Sequence, residues 1–473
     1  MVVREVPKEF QEDAQKRDDE IKEANKKVAP IWLYKDDDDK TKIDVIKFAH
    51  CIITDNPMVN NKFSEDGYWY DKNNGYWLTN TETHLEKIIA SSMLDVNRWQ
   101  PNVFSSVKKL VTIQTTSEAN FNPFDHSDPY LVSFKNGTYS IKDGTVKDNA
   151  AKDYILQGHN YGLDINGSAP VTEQWFEESF GSKEAANVVK TYIGYMFVRT
   201  YGKFQKFMIL FGAGGDGKST ILNYLRSLIG ASNTSNVDLA DLVDRSSAKF
   251  LTSKLYQKDL NYYADIGDGF MGQTSILKGL TGGDAITGQF KNKTPFEFIN
   301  HAKLIFSANS LPAFNDFTDG FIRRPIVVEV HKIKDFNKKY SMKQIEKERG
   351  AFAYECMQLF NQLLNNEYPG QLDKWGFPTT DEMQSALNKW VTDNDMVARW
   401  LDEKCDTSDP KYFEKNVHVY GDYKSFCISE GGHPLGKKNF NANLNKHGII
   451  TNAQKKIEGK KYRGYKGIRL LND

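Results

Sequence analysis

The chain of 473 residues is short of several things. It has four cysteines, Cys51, Cys356, Cys405 and Cys427, far apart and without a CxxC pair. That spacing offers no zinc cluster, and a chain this long needs no disulfide framework; reduced thiols in a cytoplasmic protein, in a bacterial host, are the expectation. It has no net charge, with 62 basic side chains against 62 acidic ones. No global field draws it to nucleic acid, so any such attraction has to come from local patches. No run approaches the roughly 18 apolar residues of a membrane span. The opening MVVREVPKEFQEDAQKRDDE lacks the apolar core of a signal peptide. Internal repeats and low-complexity tracts are also missing. What is there is a soluble globular composition, 39% hydrophobic and 26% charged, at a length that predicts roughly two to four domains.

Residues 1–30 alternate acid and base, with Glu12/Lys16, Asp18/Lys22 and Glu23/Lys27 four apart, as on a solvated helix or a frayed arm. Residues 31–170 read as an α+β region. DGYWYDKNNGYWL (Asp66–Leu78) and YLVSFKNGTYSIKDGTV (Tyr130–Val146) place Asn-Gly or Asp-Gly between alternating apolar residues, a hairpin signal. THLEKIIASSMLDVNRW between them predicts a helix. Trp69, Tyr76 and Trp77 could stack on bases, although such rings more commonly fill a hairpin's own core. TEQWFEESF and AANVVKTYIGYMFVRTY predict two helices that open a segment from 171 to 335. In that segment the runs KFMILF, LYQKDLNYYADI, AKLIFSAN and RPIVVEV predict strands separated by helices, hence an α/β core with a parallel sheet. A helical connector (336–395) and a compact basic segment (396–473) follow.

The chemistry is carried by FGAGGDGKST, which holds Gly212, Gly217, Lys218 and Ser219 at the spacing GxxxxGK[ST]. A predicted strand precedes it and a predicted helix follows, the context in which this loop cradles phosphate. Glycines let the backbone N–H groups turn toward phosphate oxygens, and the helix N-terminus adds its dipole. Gly212, Gly214, Gly215, Asp216, Gly217, Lys218, Ser219 and Thr220 are therefore the expected nucleotide-binding residues. Lys218 would reach the β- and γ-phosphates, and Ser219 would ligate Mg²⁺. Hydrolysis needs an acid at a neighbouring strand end; Asp265, 47 positions after Lys218, is placed for it. Asp268 lies close by, and Asp259, ahead of the strand, reads as a surface residue. Asn309 ends the next strand and could orient an attacking water or simply cap a turn. Arg323 and Arg324 precede the last strand, either as surface charges or as a finger reaching a neighbouring subunit's site.

From Gly212 to Arg324 the order is glycine loop, acidic strand end, lysine-bearing segment, FSAN strand and RR. This order resembles the superfamily 3 helicases of small viruses, satellite phages, plasmids and mobile islands, and within them the phage and poxvirus-type primase-helicases. GGDAITGQFKNKTPFEFINHAKLIFSANSLPAFNDFTDGFIRRP fits that pattern nearly throughout, and the resemblance extends over roughly residues 30–470. It implies an AAA+ core assembled as a hexameric ring with ATP sites between subunits. It makes Asn309 a sensor, and Arg323 or Arg324 the finger. QFKNKTPF would be a channel hairpin whose Lys291 and Lys293 touch single-stranded DNA; a solvated loop is the other reading of those lysines. Translocation 3′ to 5′ is likewise implied by the resemblance alone. Two departures stand out. Relatives commonly carry two adjacent acids at the strand end, whereas Ala264 precedes Asp265 here. Relatives also often carry a primase domain, and no metal-binding acid pair or zinc cluster is evident, so primer synthesis is not expected.

From His433 onward ten lysines and arginines face two acids, Glu458 and Asp473. KKNFNANLNKHGI predicts a helix and KKIEGKKYRGYKGIRLL a two-stranded wing. Related proteins carry a winged helix here, and the charge density suits duplex DNA. Lys455, Lys456, Lys460, Lys461, Arg463 and Lys466 crowd the wing; Lys437, Lys438, Asn439 and Asn443 would lie on a groove-reading helix. A solubilising tail would look similar. The sequence therefore reads as an ATP- and Mg²⁺-dependent, ring-forming DNA helicase for replication initiation of a phage, plasmid or genomic island, with origin binding by its C-terminal domain and host replication proteins as possible partners. A DNA-independent NTPase and an origin-binding protein with a structural ATP site are the rivals.

Overall fold

Short runs that are apolar at every position have to be covered on both faces, which is the pattern of a parallel sheet rather than of a half-exposed one. In the computed structural model, five strands, of which the first is apolar throughout, form one sheet: β1 (Phe207–Phe211), β2 (Thr234–Ser235), β3 (Leu260–Ile266), then, after a hairpin of β4 (Ala285–Gly288) and β5 (Phe296–Ile299), β6 (Lys303–Ala308) and β7 (Pro325–Glu329). The order across the sheet is β2–β3–β6–β1–β7, and every pairing is parallel. Alternate residues point to opposite sides. Met208, Leu210, Ile305 and Val328 join one core, while Phe207, Ile209, Phe306 and Val327 join another on the opposite face. The structure describes residues 29–61, 67–79, 81–117, 123–244, 248–267, 269–292 and 294–471. The arm up to residue 28, Asp268 and Lys293 lie outside the described residues.

The first of these cores is built with helices α1 (Pro170–Phe180), α2 (Lys183–Met196), α3 (Lys218–Ile229) and α4 (Arg349–Leu364). α2 and α4 cross closely, for a Cβ at Gly194 would sit 2.1 Å from the Cys356 carbonyl oxygen. Val132, Phe134 and Tyr139 of the second predicted hairpin belong to the same core, and Tyr139 meets Tyr354 of α4 edge-on at 5.7 Å. For that reason the chain divides into two units between His126 and Ser127, inside the 31–170 stretch that sequence patterning treats as one region.

The unit up to His126 is α+β, as expected. The strands Gly67–Asp71 and Tyr76–Thr79 pair antiparallel across the Asn-Gly turn, and helices run over Thr81–Asp95 and Pro101–Thr115. Tyr76 and Trp77 are buried, and Trp69 stacks on His84 with ring centroids 3.4 Å apart. The base-stacking roles considered for these rings are therefore taken up by packing within their own unit.

At the other end of the chain, Val397, Trp400, Tyr423, Phe440, Tyr465 and Ile468 form a separate core. It unites α5 (Asn416–Ser429), α6 (Lys437–Lys446) and the antiparallel pair β8 (Ile450–Ile457) and β9 (Lys460–Lys466).

Asp259 departs from expectation. It is 4% exposed, not on the surface. Its carboxylate accepts from Arg199 Nε at 3.1 Å and Nη2 at 3.4 Å, and His301 Nε2 stands 3.5 Å away. These partners are distant in sequence, so nothing near Asp259 in the chain announces them.

Candidate nucleotide site

The loop from Gly212 to Gly217 joins the carboxyl end of β1 to the N-terminus of α3. Two glycines are obligatory there. A Cβ at Gly212 would lie 2.4 Å from Asp216 Oδ2 and 2.8 Å from the Val330 carbonyl oxygen. Gly217 caps α3 at φ 99°, a conformation that side chains resist. Lys218 is the first helical residue, and its ammonium folds back into the loop. It donates to Asp216 Oδ2 (2.6 Å), the carbonyls of Gly212 (2.8 Å) and Ala213 (3.3 Å), and Asn309 Oδ1 (3.3 Å).

Strand order explains how Asn309 comes to be there. β6 lies between β1 and β3, so the residue after β6 stands between the glycine loop and the end of the acidic strand. Asn309 bridges the two, taking a hydrogen bond from Lys218 and donating through Nδ2 to Asp265 Oδ1 at 3.0 Å. Asp265 sits at an irregularity of β3, where the pairing with β6 shifts between Tyr263 and Ile266. Its φ is 59°, and its N–H donates to Ser307 Oγ at 3.1 Å. A left-handed aspartate inside a strand is a strained feature of the kind found at functional sites. The bulge falls on Ala264–Asp265, and both residues are exposed.

A cavity of about 770 Å³ opens above these residues. Gly214, Gly215, Asp216, Gly217, Lys218, Ser219, Thr220, Asp265 and Asn309 line one side. The far wall comes from Trp175 and Ser179 of α1 and from Ile333, Asp335, Phe336, Asn337 and Lys338, which follow β7. Sequence reasoning missed this wall. No motif marks it, because its two halves flank the core on either side and only the fold joins them. Ser219 and Asp265 face the same cavity with hard oxygen donors, the type Mg²⁺ takes while it keeps waters and phosphate oxygens as its other ligands. The donor set fits the ion.

Arg323 and Arg324 are not brought to this site. They precede β7, at the amino ends of the parallel strands, whereas the loop lies at the carboxyl ends. Arg324 is 5% exposed. It donates to Thr281 Oγ1 (2.8 Å), to the Lys278 carbonyl (3.2 Å) and to the Gly320 carbonyl. Burial, then the neighbouring charge of Arg323, lowers its pKa to about 10, so it stays charged at neutral pH. Arg323 is half-buried and donates to Gln205 Oε1 at 2.5 Å.

The predicted hairpin exists as β4–β5, with Gly288 opposite Phe296. Lys291 is exposed at its tip beside Asn292 at φ 64°. Phe290, also at the tip, is 44% exposed and stacks on Phe296 at 5.2 Å; sequence reading passed over it. In the C-terminal unit Lys437 and Lys438 open α6, and Lys455, Lys456, Lys460, Lys461, Arg463 and Lys466 are exposed along β8 and β9. Asn443 is buried instead, so it does not present its amide to a ligand.

Comparison with known proteins adds the following. Residues 58–181 match a family model described as D5 N terminal like, and residues 210–324 match a family of unknown function, DUF5906. The latter span runs from the end of β1 to Arg324. Over 219 residues the chain is 24% identical to "Putative helicase L207/L206" of Acanthamoeba polyphaga mimivirus, a match covering 42% of this chain. The chain spans about a fifth of that relative's length, 21%. Apo structures of the NrS-1 C terminal region are similar at a TM-score of 0.49 and 12% identity, covering 88% of this chain and 97% of that one in the first case, 89% and 99% in the second. One relative is thus named a putative helicase, and the chain's own fold is mixed α/β with a parallel sheet and a separate α+β unit. Among the described residues no helix is long and apolar enough to cross a membrane.

Proposed function

We propose that the chain is an ATP-driven DNA helicase acting in replication initiation. The observation that carries this reading is the linkage Lys218–Asn309–Asp265 at the carboxyl ends of adjacent parallel strands. The strand order, 5-1-4-3-2 when the five strands are numbered along the chain, supports an AAA+ core of the superfamily 3 kind. In that reading Lys218 and the loop N–H groups hold the phosphates, and Asp265 polarises the attacking water. Asn309 senses the γ-phosphate from between them. Mg²⁺, held at Ser219 and Asp265, would supply charge neutralisation.

Arg323 supplies the finger to a neighbouring subunit of a hexameric ring, because it is the less enclosed of the two arginines and its guanidinium has one side-chain partner to release. Arg324 instead anchors the segment that carries it. Lys291 and Phe290 at the hairpin tip engage single-stranded DNA by charge and by stacking. The basic C-terminal unit, read as a winged helix, binds the duplex at the element's origin. Translocation runs 3′ to 5′.

The test is steady-state ATPase activity with and without single-stranded DNA, for the wild type and Lys218→Ala. Stimulation by DNA that is lost in the variant is expected. Turnover indifferent to DNA would replace the helicase with a DNA-independent NTPase. DNA binding without turnover would make the ATP site structural.

A further inference from the structure

An ammonium has three hydrogens to give, and four oxygens surround that of Lys218. The shortest contact is to Asp216 Oδ2, and the two side chains are 7% and 5% exposed. The other oxygen of the same carboxylate accepts the backbone N–H of Lys218 at 3.3 Å. The first N–H groups of a helix have no partner within it and are the donors an anion takes up. One carboxylate thus occupies both the cation and a backbone donor on which the loop relies. It is closely seated, since any Cβ at Gly212 would collide with Oδ2.

We propose that Asp216 is a built-in counter-ion: it competes with phosphate for Lys218 and makes nucleotide binding depend on a divalent cation. The inference rests on the reading that this loop binds a nucleoside triphosphate. A polyphosphate entering the loop has to displace the carboxylate from Lys218 while lying a few ångströms from a like charge, in a buried setting where charges are poorly screened. Metal-free nucleotide meets that repulsion in full. A nucleotide already carrying Mg²⁺ arrives with two fewer negative charges and meets much less of it. An uncharged residue at 216 would let the loop accept both forms.

Asp216→Asn keeps the size and one oxygen for Lys218 while removing the charge, and Asp216→Ser is a smaller uncharged alternative should the amide fold poorly. Affinity for ATP is measured by calorimetry in excess Mg²⁺ and again in EDTA. The wild type should lose affinity steeply in EDTA. Either variant should bind metal-free ATP about tenfold to a hundredfold more tightly than the wild type does, so that the preference for Mg²⁺-ATP over metal-free ATP shrinks by a similar factor. Equal metal-free affinities for wild type and variants would overturn the proposal. So would a variant that loses Mg²⁺-ATP affinity, which would make the carboxylate a ligand on the metal side. A wild type that binds ATP in neither buffer would remove the nucleotide reading, and this inference with it.

Discussion

Replacing Asp259 by asparagine removes one negative charge and almost no volume, so its cost reports the charge network beneath the sheet. The carboxylate is shared by Arg199 and His301, and Lys303 lies close by. The Lys303 ammonium donates to the carbonyls of Val198 (2.7 Å) and His301 (2.9 Å) and sits over the rings of Tyr195 and Tyr201. Burial lowers the Lys303 pKa to about 7, against the pull of Asp259 in the other direction. Without Asp259 the Arg199 guanidinium loses its counter-charge, a change of the type that costs about 3–5 kcal/mol. In a unit of this size each kcal/mol is worth roughly 2 °C, so thermal unfolding should fall by about 6–10 °C. The assay is circular dichroism on heating, with ATP affinity measured at low temperature to confirm that the variant is folded. Acid adds a second reading. Burial alone would raise the Asp259 pKa, but Arg199 and His301 more than reverse this and hold it below the ordinary carboxylate range. A depressed folded pKa contributes stability above the unfolded value, about 3.9, and loses it as the pH falls further. The part of the gap between wild type and variant that Asp259 itself contributes should therefore close as the pH falls below about 4. A shift under about 2 °C at neutral pH would refute the reasoning, since stranding one charge of a buried pair costs more than that.

Asn309→Ala removes the bridge between Lys218 and Asp265; turnover should drop about a hundredfold while ATP affinity changes by only a few-fold, as kcat and a binding titration will show. The two arginines should separate by assay. Arg324→Ala leaves the Thr281 hydroxyl and two carbonyls short of a donor and should lower thermal stability by several degrees. Arg323→Ala should leave stability within about 2 °C and lower ATP turnover in the assembled protein.

Four of the five core strands were legible because short, largely apolar runs bounded by polar residues have few alternatives; β2, Thr234–Ser235, carries no such run and was not foreseen. The glycine loop was legible because its spacing is tied to a mechanism. Asp265 and Asn309 were placed correctly at strand ends, yet their hydrogen bond was not foreseeable. It depends on β6 lying between β1 and β3, and strand order is a tertiary fact that no local pattern encodes. The misreading of Asp259 has the same origin. A lone aspartate ahead of a strand is ordinarily solvated, and only its Arg199 partner, 60 positions away, makes burial tolerable. Asn443 was misjudged because helix spacing shows which residues share a face, not which of them the surrounding chain buries.

Beyond the sheet, the chain leaving Asp265 and the chain leaving Asn309 meet again. Phe270–Met271 pairs with Ala313–Phe314 in a short parallel ladder. The C-terminal unit rests on both sides of this clasp: His433 lies against Phe270, with ring centroids 4.3 Å apart, and Lys446 Nζ donates to the Phe317 carbonyl at 3.2 Å. Two loops knotted together cannot be adjusted one at a time. The basic unit thus touches both the segment that follows the acid and the segment that follows the amide.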